Sequence, residues 1–296
     1  MSDDLTNWMD QNPYIRDLGV KIQAADDTVV RLFLPYQERN NMAGTLHGGA
    51  IASLISISGR ALVRASAPGP ARALRTVSMH VGYVRAAHKS VTIETRLVRR
   101  ASDLAFFETR IKDEDDHEVA HASAMVSDGR PAILGASPPL LSDVLRSDDG
   151  ASTSGEPARL AELRAAMAGI PFVSRRELHI EDIARGTIGI KLGTAAVNLD
   201  GDGCMDEGVV LTLIDAAGAT CPWTIVSPSS GASGSTIALT AQVLGPLPKS
   251  ALVARAAIRA WDARFFWTDV TVSDELSGKL HAFGMVLYRF KQKSDP

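Results

Sequence analysis

The feature that most restricts how this chain can fold is that its sequence runs through one pattern twice. Shifted against itself by 159 positions, HGGAIASLISISG (47–59) lies over DEGVVLTLIDAAG (206–218), and Gly49, Leu54, Ile55 and Gly59 fall on Gly208, Leu213, Ile214 and Gly218. At the same shift RASDLAFFETR (100–110) lies over RAWDARFFWTD (259–269). One position further on, Lys89-Ser90 meets Lys249-Ser250 and His121-Ala122 meets His281-Ala282. A shared local propensity can mimic one such match, but it does not produce four in order at a near-constant spacing. Two copies are too few for a solenoid, so the expected arrangement is two copies facing each other.

Each copy reads as an α+β unit. In the first, residues 18–35 suggest two short strands with a turn at Asp26-Asp27, followed by a loop rich in Asn and Gly. A helix is expected over 46–66. Ile51, Leu54, Ile55, Leu62 and Val63, filled in with Ala and Ser, leave it almost no charged face over three turns, as in a helix buried all round. Strands are expected at 76–84, 91–100, 104–113 and 119–127. There Val77, Met79, Val81 and Tyr83, then Val91, Ile93, Thr95 and Leu97, alternate with polar or small residues, the period of a sheet with one buried face. One buried helix followed by a long antiparallel meander predicts a sheet wrapped around a central helix.

The second copy repeats the order. It has a helix near 158–167, strands at 177–183 and 187–192, a buried helix from 206 until Pro222 ends it, and four strands running to 290. Residues 130–156 are rich in Pro, Ser, Gly and Asp, the composition of a linker. The expected division is therefore 1–130, a linker at 131–157, and 158–296.

Composition narrows the function classes. At 296 residues each copy is long enough to bury its own core. Lys and Arg number 31 against 34 Asp and Glu, a net charge of −3 without a long basic run, which argues against nucleic acid. The longest apolar stretch, 50–67, is broken by Ser53, Ser56, Ser58, Gly59, Arg60 and Arg64, so no membrane partner is expected. The N-terminus is acidic and lacks the apolar run of a secretory signal. Cys204 and Cys221 have no metal-ligand spacing and no disulfide framework around them, which suits a reducing cytoplasm. Asp200-Gly-Asp202-Gly lacks the later ligands of a calcium loop. The glycine-rich 230–235 has no following Gly-Lys, and no G-x-S-x-G occurs. No metal or redox cofactor is suggested.

Asn41-Met-Ala-Gly-Thr-Leu-His47-Gly48-Gly49, at the start of a buried helix, resembles the signature of the hot-dog acyl-CoA thioesterases of the phenylacetyl-CoA type. The passage Tyr83-Val-Arg85-Ala-Ala-His-Lys89, with a VRR run after it, supports the same resemblance. In that family two hot-dog units pair side by side. One supplies the Asn and the His-Gly helix start; the other supplies a carboxylate nine residues after its own His position and a hydroxyl on the next strand. Here that position in the first copy is Ser56, and in the second it is Asp215. Conversely the second copy carries Asp206-Glu207 where the first has His47-Gly48. The resemblance therefore implies one complete site: Asn41, His47 and Gly48 from the first copy, with Asp215 and Thr236 from the second. The other junction, with Asp206, Glu207, Ser56 and Thr76, looks dead under the family scheme.

Those residue types suit thioester hydrolysis. Attack by water puts negative charge on the carbonyl oxygen, and a helix N-terminus offers unpaired N–H groups to receive it. Gly48 is expected to be that donor, with Gly49 beside it letting substrate approach. Asp215 is expected to be general base or nucleophile. His47 is expected to matter more for its backbone position than for its imidazole. Arg85, Lys89, Arg99 and Arg100 are candidates for the phosphates of coenzyme A, which enters as part of the substrate. The leading expectation is an acyl-CoA or acyl-carrier thioesterase acting as a homodimer. A non-catalytic acyl-CoA-binding protein and a hot-dog hydratase or dehydratase are the alternatives.

Overall fold

The computed structural model describes residues 3–66, 74–128 and 156–291, so the expected linker lies almost wholly outside it. The first copy comprises α1 (Asp3–Gln11), α2 (Pro13–Leu18), β1 (Lys21–Ala25), β2 (Val29–Leu34), the short β3 (Asn41–Met42) and β4 (Thr45–Leu46), then α3 (Gly48–Ser66). It finishes with β5 (Arg75–Tyr83), β6 (Val91–Arg100), β7 (Leu104–Asp113) and β8 (Glu118–Ser127). The second comprises α4 (Glu156–Ala168), α5 (Pro171–Arg175), β9 (Leu178–Ala184), β10 (Thr187–Leu192) and α6 (Glu207–Thr220). Its last four strands are β11 (Ser233–Val243), β12 (Leu252–Trp261), β13 (Phe265–Asp274) and β14 (Leu280–Lys291).

Twelve strands form one sheet in the order β1-β2-β6-β7-β8-β5-β11-β14-β13-β12-β10-β9. The second half of that order mirrors the first. At the seam β5 and β11 run antiparallel, with His80 opposite Thr240. Those two residues are separated by the repeat spacing, so a near-two-fold axis passes through the seam. The central helices meet on the same axis: Ser53 Oγ lies 3.3 Å from Thr212 Oγ1, and these residues are 159 apart. A Cβ on Gly49 would come 2.8 Å from the Thr212 Cα, so glycine lets the two helices approach this closely. The buried hydroxyls there satisfy one another and the adjacent backbone. Ser53 Oγ is 2.7 Å from the carbonyls of both Gly49 and Gly208, and Tyr14 Oη is 2.6 Å from Ser53 Oγ.

The uncharged helix behaves as its composition predicts. Every residue of α3 from Gly49 to Val63 is buried, as is α6 from Glu207 to Gly218. Ile51, Leu54, Ile55 and Ile57 join Val209, Leu213 and Ile214 in a core continuous across both copies. Each such side chain contributes about 1.5–3 kcal/mol on burial, so the halves stabilise each other rather than standing as separate bodies. Among the described residues no helix is long and apolar enough to cross a membrane.

Three short helices escape a reading based on periodicity. At five to nine residues α1, α2 and α5 are too brief to display a clear apolar face. Capping chemistry accounts for α2: the Asn12 side chain accepts from the Ile15 N–H at 3.0 Å, Pro13 opens the first turn, and Gly19 closes it at φ 78°. Pro171 opens α5 in the same way, 158 positions later. These two helices reach across the axis. Asn12 Nδ2 donates to Asp206 Oδ2 at 2.7 Å, and the Phe172 ring packs on His47 with centroids 4.7 Å apart.

Candidate active site

At the first junction the start of α3 faces the middle of α6. The His47 N–H is anchored on the Asn40 carbonyl at 2.9 Å, which sets the chain's entry into the helix. Gly48 follows, partly exposed, and among the described residues its N–H donates to nothing. Opposite it stands Asp215, 2% exposed. A Cβ on Gly48 would come 2.8 Å from Asp215 Oδ2, so only glycine lets the carboxylate lie against the helix start. Thr236, on β11, donates its hydroxyl to Asp215 Oδ1 at 2.9 Å. Burial raises the Asp215 carboxyl to about 6, while the Thr236 hydroxyl and the Gly49 N–H pull the other way. The result is a carboxylate basic enough to accept a proton near neutrality.

The His47 ring makes contacts of its own beside the backbone position expected to matter. Its Nδ1 accepts the Gly49 N–H at 2.9 Å and lies 3.5 Å from Asp215 Oδ2. The spacing resembles an ion pair, but the ring carries no charge: burial first, then the nearby Arg176, push it down to about 3. Gly49 is likewise turned inward. Its N–H serves His47 and Asp215, and a Cβ on it would come 2.8 Å from the Thr212 Cα, so it braces the site from within.

The second junction has the same outline and is filled. Glu207, in the place of Gly48, extends its carboxylate into the space between the helices. Ser56 donates to its Oε1 at 2.5 Å, and the Thr76 N–H donates to its Oε2 at 2.9 Å. Thr76 Oγ1 adds a bond to Ser56 Oγ at 3.2 Å. Asp206, in the place of His47, caps α6 through the Gly208 N–H at 2.7 Å and pairs with the buried Arg60 at 3.2 Å. Every oxygen that could act on a substrate there is engaged within the protein.

The remaining expected residues separate by position. Asn41 is buried on β3, and among the described residues its Oδ1 has no hydrogen-bond partner and no hydrogen bond joins it to Asp215. Lys89 is paired with Asp115 at 2.7 Å. Arg100 is held by Asp128 at 3.0 Å and by Ser66 at 2.7 Å, which ties β6 to the end of α3. Arg85 and Arg99 are exposed, and among the described residues neither has a carboxylate partner. Sequence reasoning missed two tyrosines. Tyr83 donates its hydroxyl to the Gly48 carbonyl at 3.0 Å, bracing the first turn of α3. Tyr288, paired with Thr236 across the sheet, accepts from Trp223 Nε1 at 3.2 Å and stands among Phe266, Phe290 and Trp223. Alternation marks Tyr83 as inward-facing, but nothing in a strand pattern says what a hydroxyl will reach.

Two antiparallel half-sheets, each wrapped on a buried helix and joined edge to edge, define a double hot-dog fold, and at their junction Asp215 lies against the start of α3. A family model described as the thioesterase superfamily matches residues 43–120, which include His47, Gly48 and Gly49. A Halobacterium salinarum protein named as an esterase is 30% identical over 112 residues, covering 36% of this chain and 74% of that protein. The chain belongs to the thioesterase superfamily. Its fold is similar to that of a conserved hot-dog protein from Alicyclobacillus acidocaldarius, with a TM-score of 0.60, 13% identity and 99% of each chain covered. It is also similar to an acyl-CoA thioesterase II from Mycobacterium marinum, with a TM-score of 0.56, 11% identity, and 93% and 97% of the two chains covered.

Proposed function

We propose that this protein is an acyl-CoA thioesterase with one working site per chain, built from the α3 start of the first copy and Asp215 of the second. The observation that carries this reading is the buried Asp215 carboxylate, held by the Thr236 hydroxyl and lying so close to Gly48, whose N–H is uncommitted among the described residues, that a Cβ there would come 2.8 Å from its Oδ2. The thioester carbonyl would point its oxygen at Gly48, where the helix N-terminus stabilises the charge that develops. Asp215, steadied on one oxygen by Thr236, takes a proton from the attacking water. The tetrahedral intermediate then collapses, the carbon–sulfur bond breaks, and the proton held by Asp215 passes to the departing thiolate. The products are a carboxylic acid and free coenzyme A. Arg85 and Arg99 are the exposed cations left to meet its phosphates. Both halves of the site lie in one chain, so the chemistry does not depend on the expected homodimer.

The test is thiol release from a panel of acyl-CoAs by the native protein and Asp215→Asn. The native protein should turn over at least one of them, and the variant should fall by about 10²-fold or more while still binding. Binding without thiol release by the native protein would replace this reading with the binding-protein alternative.

A further inference from the structure

Behind His47 lies a stack that the chemistry above does not use. The Phe172 ring covers the imidazole at 4.7 Å and 30° between planes. On Phe172 rests the guanidinium of Arg176, 3.9 Å from the ring centroid. Arg176 is 0% exposed, and its Nε has no hydrogen-bond partner. An arginine buried this deeply without full hydrogen bonding is destabilising unless something else is gained. Its partners are modest: Asp17 at 3.3 Å, the Phe172 carbonyl at 3.4 Å, and the Tyr14 ring at 5.1 Å. Asp17 does not depend on it, because Arg175 already holds that carboxylate through a 2.6 Å bond from its Nε.

We infer that Arg176 is a positioning residue, acting through the Phe172 ring to hold His47 as a neutral hydrogen-bond acceptor beside Asp215 rather than a cation paired with it. Among the described residues, charged or titratable groups lie around the imidazole on three elements. Asp215 on α6 lies in front at 3.5 Å, Arg176 just beyond α5 lies behind Phe172, and Tyr83 on β5 braces the Gly48 carbonyl. Of these Asp215 alone favours a protonated ring, and it sits close enough to do so. A protonated Nδ1 could no longer accept the Gly49 N–H. It would turn its proton to Asp215, releasing the first turn of α3 and removing the base. A fixed cation on the far side of the ring opposes that proton, and burial adds to the effect. The helix start that would receive the oxyanion is thereby kept in register with its acid.

The inference rests on the thioesterase reading for its consequence but not for its test. His47 can be followed by NMR of its ring, assigned by a His47→Gln variant, with no substrate present. In the native protein this ring should not titrate above about pH 5, in keeping with a value of about 3. In Arg176→Met its titration should rise by about one pH unit or more. Arg176→Lys, which restores the cation, should bring the ring titration back towards native. Should Arg176→Met not fold, Phe172→Leu, which leaves the cation but loosens its platform, should raise the ring titration by a smaller amount. A His47 titration that, followed down to about pH 3, lies no higher in a folded Arg176→Met or Phe172→Leu protein than in the native protein would overturn the inference.

Discussion

Removing one hydroxyl should move the pH at which this site works. Thr236 Oγ1 stands 2.9 Å from Asp215 Oδ1 and stabilises the ionised carboxylate against the burial that raises it to about 6. A hydrogen bond to a charged group is worth about 1.5–3 kcal/mol, and 1.36 kcal/mol corresponds to one pH unit. Thr236→Val should therefore carry the acid limb of the pH–rate profile up by about one to two units. At pH 6 the wild-type site works at about half of its plateau, whereas the variant should work at roughly 1–10% of its own. Thr236→Ser keeps the hydroxyl and should keep the limb near pH 6. The assay is thiol release across pH 5 to 9, with plateau and midpoint fitted separately. If Thr236→Val lowers the plateau but leaves the midpoint in place, Thr236 does not act through the ionisation of Asp215 and the reasoning fails.

Asp215→Asn should stabilise the protein while disabling it. The folded value of about 6 lies above the ordinary 3.8, so the native state retains a proton that the unfolded state loses between those values, and ionising the buried acid is a penalty of about 3 kcal/mol above pH 6. The variant's gain in Tm should be full at pH 8 and vanish below pH 4. Gly48→Ala puts a methyl 2.8 Å from the Asp215 carboxylate, and thiol release should drop by about 10²-fold with a folded far-UV CD spectrum; near-native turnover would count against Gly48 as donor. Ser56→Asp sets a second carboxylate against Glu207 where a 2.5 Å hydrogen bond now stands, and should cost about 3–5 kcal/mol at neutral pH by denaturant unfolding. Adding Glu207→Gly should relieve most of that loss, and additive losses instead would refute the filled-junction account.

Much of this architecture could be read before any coordinates. The repeat spacing pairs His80 with Thr240 and Ser53 with Thr212, and those pairs lie on the axis. Adding the spacing to residue 56 leads to Asp215, which the structure sets against Gly48. The pattern could not say that the His47 ring would accept a backbone N–H, or that Glu207 would reach across to Ser56 and Thr76. Those facts depend on side-chain reach between elements far apart in the chain. Phe172 and Arg176 were illegible for a related reason. Phe172 sits in a five-residue helix that Arg176 directly follows, and both act on the other copy, so neither period nor neighbourhood betrays them.

The axis through Ser53 and Thr212 makes each half meet its counterpart's version of the same surface. Were the halves made separately, two first copies would meet with Ser56 opposite Gly48 at both contacts, and neither contact would own an acid. Two second copies would crowd Glu207 against Asp215 twice over, four carboxylates in two dry clefts. Only the unlike couple sets one acid against one helix start, and continuous synthesis supplies it in a ratio of one to one. Dilution cannot separate the partners, and no sorting step is needed to find them. Each finished chain arrives with its own mate attached, one half carrying the mouth and the other the tooth.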